Sequence, residues 1–287
     1  MNKSTPKIYR TTNWSSYNRA LINRGNIAIW FDPATQWYAP SKGKQGRNQT
    51  YSDAAIQCCL MIKSLFRLSL RMVTGFVQSL IHLCGLNWVA PDYTTICRRQ
   101  QHIDIVISYQ KSCDGLYLIV DSTGLKFLGE GEWKRKKHQP EYRRQWRKLH
   151  MGIDAKTLQI RAVQLTTNNV SDSQVLGDLL DQIPQDERVD SVYTDGAYDT
   201  KQCRQVIADR QAHAVIPPRK NAKPWKDKKM GSLERNELLR TVKRLGRTIW
   251  KKWSGYHRRS LVETKMHCIK LLGDKLMARS FPSQVNE

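Results

Sequence analysis

The chain has 287 residues, room for about two domains, and its 48 Lys and Arg against 25 Asp and Glu leave a net charge of +23. A charge of that size repels itself, so a polyanionic partner is its natural explanation; the 40% hydrophobic content, with 9 Trp, 11 Tyr and 5 Phe, excludes a chain disordered throughout. The longest apolar stretch, Ala54 to Leu86, is broken by Lys63, Arg67 and Arg71, and no signal-peptide core precedes it, which excludes a membrane span and points to the cytoplasm.

Residues 1–48 are polar and irregular, with Trp14, Trp30 and Trp37 expected to tuck against the body and Ser41 to Asn48 expected to form a basic loop. Tyr51 to Leu86 has helical spacing, with Ser52 or Asp53 as N-cap, a break near Arg67 to Ser69 and a stop at Gly85. Asp92 then caps a short helix carrying Thr94, Thr95, Arg98 and Arg99. Helix, turn and a short helix opening on Thr and Arg resemble a helix-turn-helix reader of DNA over about residues 51–103; an ordinary helical bundle with a basic face explains the same spacing.

The pattern changes near Leu116. Leu116 to Val120 is a continuous apolar run ending in Asp121, as a strand buried on both faces requires. Leu149 to Ile153 and Ile160 to Thr166 are further strands, joined by a turn at Asp154 to Thr157. Ser173 to Ile183 is a helix capped by Ser171 or Asp172, Val189 to Thr194 a strand ending in Asp195, Thr200 to Arg210 a helix, and Ala212 to Ile216 a strand stopped by two prolines. Three strands followed by alternating helix and strand is the element order of a ribonuclease-H-like α/β domain. The reading is therefore a mainly helical N-terminal DNA-binding region over residues 1–112 and an α/β catalytic domain over 113–287. The seven cysteines (Cys58, Cys59, Cys84, Cys97, Cys113, Cys203 and Cys268) make no C-x-x-C pair and read as reduced thiols, most of them in the core.

Asp121 and Asp195 each close a predicted buried strand, where ligands of open α/β sheets bind. A strand-ending Asp also simply opens a turn. Two of them in so basic a chain favour a site for Mg²⁺ and phosphate. Further on, Tyr256, Arg259, Glu263 and Lys270 read Y-x2-R-x3-E-x6-K and share one stripe about 60° wide at roughly 100° per residue. Leu261, Val262, Met266, Ile269 and Leu272 take the other side, so the apolar face docks on the sheet and Glu263 faces the strand ends. An i,i+4 pair of Arg259 and Glu263 explains two of the four polar residues and leaves Tyr256 and Lys270 unexplained.

This tyrosine-arginine-glutamate-lysine pattern resembles the signature around the glutamate of bacterial insertion-sequence transposases. Asp121-Ser122-Thr123-Gly124-Leu125-Lys126, Gly129-Glu130-Gly131-Glu132-Trp133, Trp146-Arg147-Lys148-Leu149-His150, Asp195-Gly196-Ala197-Tyr198-Asp199 and Gly255-Tyr256-His257-Arg258-Arg259-Ser260-Leu261 are similar to the insertion-sequence-five family, most of all its kanamycin-transposon branch. The resemblance implies a ribonuclease-H-like DDE domain with Asp121, Asp195 and Glu263 as catalytic metal ligands. It implies Mg²⁺, replaceable by Mn²⁺, with two ions per site. It implies double-stranded DNA as partner, both terminal inverted repeats and target, with homo-oligomeric synapsis in the bacterial nucleoid. Such transposases usually carry a further helical segment after the glutamate helix; this chain stops soon after Glu263, at Glu287, and reads as a shortened copy.

The implied chemistry is in-line displacement at a phosphodiester, first by water and then by a DNA 3′-hydroxyl. Arg259, Lys270 and Lys126 are expected on phosphate and Tyr256 on a nucleotide. The insertion over 129–148 interleaves Lys134, Arg135, Lys136, Lys137, Arg143, Arg144, Arg147 and Lys148 with Trp133, Tyr142 and Trp146, as a DNA-backbone surface does. A second basic cluster, Arg219 to Lys229, surrounds Trp225, which either stacks on a base or packs. Two rival functions remain: a non-catalytic DNA-binding repressor, and a tyrosine recombinase using Tyr256 as nucleophile.

Overall fold

A computed structural model describes residues 14–15, 18–19, 22, 35–41, 43, 48–104, 109–112, 114–128, 145–273 and 275–287. The chain divides into two compact units, Met1–Ile103 and Asp104–Glu287.

Among the described residues, the first unit packs three helices together. Helix α1 (Asp53–Phe66) starts where the Ser52 hydroxyl accepts from the Ala55 amide at 3.1 Å, and ends at Arg67 in the left-handed conformation. Helix α2 (Leu70–Leu83) follows after three residues, Arg67 to Ser69, placing the break where the sequence puts it. Helix α3 (Tyr93–Gln100) is capped by Asp92, whose carboxylate accepts from the Thr94 amide at 2.8 Å. Ile56, Ile62, Val73, Val77, Ile81 and Ile96 pack between them. Trp37 is buried and stacks on Trp88 at 4.9 Å, whereas Trp14 is exposed, against the expectation that it tucks in. Trp30 and residues 42 and 44–47 of the expected basic loop lie outside the described residues.

The second unit is a mixed α/β structure. Its strands are β1 (Leu116–Phe127), β2 (Arg147–Asp154), β3 (Ile160–Thr167), β4 (Val189–Tyr193), β5 (His213–Val215) and β6 (Lys275–Leu276). The sheet runs β3-β2-β1-β4-β5, with β6 against the far end of β1. β1, β2 and β3 are antiparallel neighbours; β4, β5 and β6 join in parallel. Helices α4 (Asp172–Asp181) and α5 (Lys201–Asp209) cover one face, with Val175, Leu176, Leu179 and Ile207 on Leu118, Val120 and Ala162. Helices α6 (Met230–Leu245), α7 (Arg247–Trp253) and α8 (Ser260–Leu272) cover the other, where Trp250, Val262 and Met266 meet Ile119, Met151, Ile153 and Tyr193. A last short helix, α9 (Phe281–Val285), follows β6.

Two boundaries differ from expectation. β1 does not stop at Asp121; it continues six residues, to Phe127, because β2 pairs with it as far as Leu125 and β6 pairs with Lys126 and Phe127. Ladder partners on both sides outweigh the low strand propensity of Asp, Ser and Gly. Similarly, Arg147 and Lys148 belong to β2 rather than to an insertion loop. Of the described cysteines, Cys58, Cys59 and Cys203 are buried, while Cys84, Cys97 and Cys268 are exposed, so only half are core residues. No helix among the described residues is long and apolar enough to cross a membrane.

The β2–β3 turn is anchored by a buried ion pair. Asp154 and Arg161, at 1% and 2% side-chain exposure, meet at 3.2 Å, and Asp154 also accepts from the Lys156 amide and the Thr157 hydroxyl. Burial opposes ionisation of Asp154, but these donors outweigh it and hold its pKa below the ordinary carboxylate value. Asp154→Asn leaves Arg161 buried without a counter-charge and is expected to cost about 3–5 kcal/mol of stability in denaturant unfolding. The pKa is depressed, so the ionised form's contribution is complete above about pH 3.9 and is lost as the pH falls through the native value. The gap between wild type and variant therefore closes in acid.

Candidate active site

β1 and β4 lie side by side and parallel, with Leu118 opposite Val192 and Ile119 opposite Tyr193. Asp121 and Asp195 each come two residues after that last pair, so equal register steps carry both carboxylates to the same level. Asp121 points toward the helix-covered face shared by Ile119 and Met151, its neighbours in register and alternation. The Asp195 carboxylate accepts from the Ala197 amide at 2.9 Å and opens the tight turn Gly196–Tyr198. It is therefore a turn-starter as well as a neighbour of Asp121.

Glu263 arrives from the other side. Val262 and Met266 are fully buried under the sheet's second face, each contributing about 1.5–3 kcal/mol, and this docking brings Glu263, at the start of α8, to the sheet. Tyr256 to Arg259 are not part of that helix, as the single stripe supposed. Gly255, at φ 67°, turns the chain into a 3₁₀ turn over Tyr256–Arg259, and the α-helix begins at Ser260. Tyr256 instead packs on Trp250, ring centres 5.7 Å apart. Lys270 stands two helical turns beyond Glu263, roughly 10 Å along the axis, and Leu272 is exposed rather than docked.

Arg259 joins the two sides. One guanidinium nitrogen contacts Asp121 at 2.6 Å, and the other contacts Glu263 at 2.5 Å. The i,i+4 pair with Glu263 is thus real, but it is one arm of a bridge to the sheet. Burial is the main force raising the pKa of Asp121; the Ser122 amide and Arg259 oppose it, and the charges of Asp195 and Glu263 add to it. Burial also raises the pKa of the Tyr256 hydroxyl, with Asp195, Asp121 and Glu263 adding to the rise against Arg259. A nucleophile is activated by the opposite shift.

The donor chemistry suits a hard divalent cation, since all three groups are carboxylates. As placed, no three His, Cys, Asp or Glu side chains among the described residues surround an ion position. The positive charge between Asp121 and Glu263 is that of Arg259.

A family model described as a transposase DDE domain matches residues 113–287, and a second with the same description matches residues 22–130. The chain belongs to the DDE transposases. Among solved structures it is similar, at 14% identity and a TM-score of 0.31, to the Drosophila P element transposase strand transfer complex, covering 70% of this chain and 47% of that one. It spans about half the length of that relative. It is also similar to the simian T-cell lymphotropic virus intasome in complex with the PP2A regulatory subunit B56 gamma (15% identity, TM-score 0.26, 76% of this chain and 74% of that one). The Mos1 mariner paired end complex with Mn is similar at 10% identity and a TM-score of 0.25, covering 92% and 94%.

Several basic residues expected on DNA have partners within this DDE transposase. Arg147 donates to Gln284 at 2.7 Å, and its guanidinium lies 4.3 Å from the Phe127 ring centre and 5.2 Å from that of Phe281. It clamps the C-terminal segment to the sheet. Lys148 donates to the Val170 carbonyl at 2.8 Å and to Asp172. Trp225 packs on the Arg235 guanidinium at 3.9 Å, and Asn236 bonds both its amide and its carbonyl, so it is a packed ring in a pinned segment rather than a mobile loop. Arg99 bonds the Tyr51 carbonyl at 3.0 Å and the Asp53 carboxylate, and the Thr94 hydroxyl donates to Asp92. Thr95 is half-buried, while Arg98 is exposed. Lys126 is exposed, opposite Lys275 in the β1–β6 pair. Lys134, Arg135, Lys136, Lys137, Arg143 and Arg144 lie outside the described residues.

Sequence reasoning missed α6 and α7, and with them Arg235. The buried face of α6 carries Gly231, Ser232, Arg235 and Leu239, so its inward stripe has helical spacing but not apolar character. Arg259→Ala removes the nearest positive charge from Asp121. The Asp121 carboxyl is then expected to titrate at a higher pH than in wild type, which carbon-13 NMR of labelled aspartate reads directly; an unchanged midpoint would contradict the bridge.

Proposed function

We propose that this DDE transposase binds the terminal inverted repeats of a bacterial insertion sequence, cuts at the element ends and joins the freed 3′ ends to target DNA. Within the family, the motifs favour the insertion-sequence-five group and its kanamycin-transposon branch. The observation that supports the reading is the Arg259 bridge between Asp121 on β1 and Glu263 on α8, with Asp195 following the parallel strand β4 two residues beyond the Ile119–Tyr193 pair.

In this reading the second unit is a ribonuclease-H-like catalytic domain, and the three carboxylates hold Mg²⁺, or Mn²⁺ in its place, two ions per site. The bound ions supply charge neutralisation for an in-line displacement at phosphorus. The chain's own groups do the rest. The carboxylates present hard oxygens on two strands and a helix, elements rigid enough to fix their spacing. Arg259 is ready to exchange a carboxylate for a phosphate oxygen, since a guanidinium matches both. Tyr256, held against Trp250 with a protonated hydroxyl, donates to the nucleotide rather than attacking it. Exposed Lys126 and the basic segment over 129–144 engage the DNA backbone, which makes binding salt-dependent.

The N-terminal region, residues 1–112, reads the repeat, with α2 and α3 as the helix-turn-helix and Arg98 as the free basic group at the reading helix. Synapsis of two ends calls for more than one copy of the chain. The bacterial cytoplasm, at the nucleoid, is the setting.

Asp121→Asn, Asp195→Asn and Glu263→Gln are each expected to lower cleavage and strand transfer by well over about 100-fold, beyond what residues that merely support a ligand cost. Affinity for repeat DNA should change little, because removing a carboxylate reduces repulsion with phosphate. Strand-transfer assays on a DNA carrying the repeats, run with Mg²⁺ and with Mn²⁺, measure both. Undiminished strand transfer by Asp121→Asn would sink the reading.

A further inference from the structure

Behind Asp195 lies a group of buried charges that the proposed chemistry does not use. We propose that Asp199 is a positioning residue: its ion pairs with Arg204 and Arg235 set the direction of the Asp195 carboxylate. The inference rests on the reading of Asp195 as a metal ligand.

The Asp199 carboxylate is wholly buried, and so is the Arg204 guanidinium; Arg235 is nearly so. Arg204 Nε donates to Asp199 at 2.8 Å, Arg235 Nε at 2.9 and 3.1 Å, and Arg235 Nη2 at 3.0 Å. The Arg219 amide completes the set at 3.4 Å. Glu234, which also faces Arg204, binds His213 and the Ala214 amide. Two arginines and two acids thus balance in charge. Stability alone does not call for such a group, because apolar side chains of the same volume serve at least as well.

Its location is what it adds. The Ala197 amide that holds the Asp195 carboxylate belongs to the peptide whose carbonyl is that of Gly196. A peptide is planar, so fixing the carbonyl fixes the N–H. That Gly196 carbonyl accepts from the Asp199 amide at 3.2 Å and from Arg219 Nε at 3.3 Å, while Arg219 Nη2 reaches the Ala197 carbonyl at 3.1 Å. Asp199 therefore grips the peptide directly through its backbone, and indirectly through Arg219, whose amide it binds.

The segment carrying Arg219 is held by the same pairs. Arg204 donates to the Ile216 carbonyl at 3.0 Å, and Arg235 to the Lys223 carbonyl at 2.9 Å beneath Trp225. There is no slack between α5 and α6 either: a Cβ added to Gly231 would lie 2.5 Å from the Arg204 carbonyl oxygen. Loss of the Asp199 charge frees both arginines and, through residues 216–225, releases the grip on the Gly196–Ala197 peptide.

Mn²⁺ binding to the full chain without DNA, followed by the electron paramagnetic resonance of the free ion, tests this apart from activity. Asp199→Asn and Arg219→Gln are both expected to weaken Mn²⁺ binding by roughly tenfold or more, as lost support of a ligand does. Asp154→Asn breaks the other buried pair, at the far end of the sheet, and should lose stability yet bind Mn²⁺ as wild type does. Wild-type affinity in folded Asp199→Asn and Arg219→Gln overturns the inference. Should Asp199→Asn fail to fold, Arg219→Gln decides, because the Arg219 side chain is exposed and its loss spares the core. Weakening by Asp154→Asn to the same degree also overturns it, since general loosening would then explain the effect. Absence of Mn²⁺ binding in wild type, or full binding by Asp195→Asn, removes Asp195 as a ligand and the inference with it.

Discussion

The parallel contact between β1 and β4 is the constraint on which the rest of the site depends. It exists because Leu116 to Val120 and Val189 to Tyr193 bury apolar side chains on both faces, which only a central pair of strands can do. Once Ile119 sits opposite Tyr193, the positions of Asp121 and Asp195 follow from register alone. The third carboxylate needs a separate force, the burial of Val262 and Met266. Two hydrophobic events of different kinds thus bring together three groups whose charges repel one another.

Arg259 offsets that repulsion. A carboxylate as buried as Asp121 is hard to ionise beside two others, and the guanidinium is the one group in contact with both Asp121 and Glu263. The space between Asp121 and Glu263 thus holds a positive charge supplied by the protein itself. The same logic governs the rest of the molecule. Arg147, Arg161, Arg204 and Arg235 spend their charge on Gln284, Asp154 and Asp199 or on aromatic faces. The net charge of +23 therefore overstates the cation surface open to solvent, and arginine in particular is a construction material here.

Local signals were legible wherever a single segment decides its own structure. Ser52 and Asp92 cap helices where their side chains reach the first-turn amides, and Ser171 opens its helix with its amide and hydroxyl on the Gln174 side chain. The break after Phe66 and the turn after Asp154 follow from residues within a few positions. Segments whose inward face is polar were opaque. Arg235 is buried in α6 because Asp199, thirty-six residues earlier, is there to receive it, and no periodicity of apolar residues records that. The contacts of Arg147 and Trp225 were hidden for the same reason: a cation or a ring near other cations resembles a nucleic-acid contact, and its partners, Phe127 and Arg235, are distant in sequence.

By itself the sequence determined the order of strands and helices from β1 to β5 and the two apolar runs that become β1 and β4, because each depends on residue type and short spacing. Only the tertiary structure decided that β1 runs on past Asp121, that Tyr256 and Arg259 stand on a 3₁₀ turn outside α8, and that Arg259 spans Asp121 and Glu263. Two of those outcomes turn on partners far away along the chain, β6 for the strand and Asp121 for the arginine; the turn follows from Gly255 beside it and the docking of the helix after it. A hydrogen bond or an ion pair forms only when both ends are delivered, and the chain delivers them only once the sheet is built.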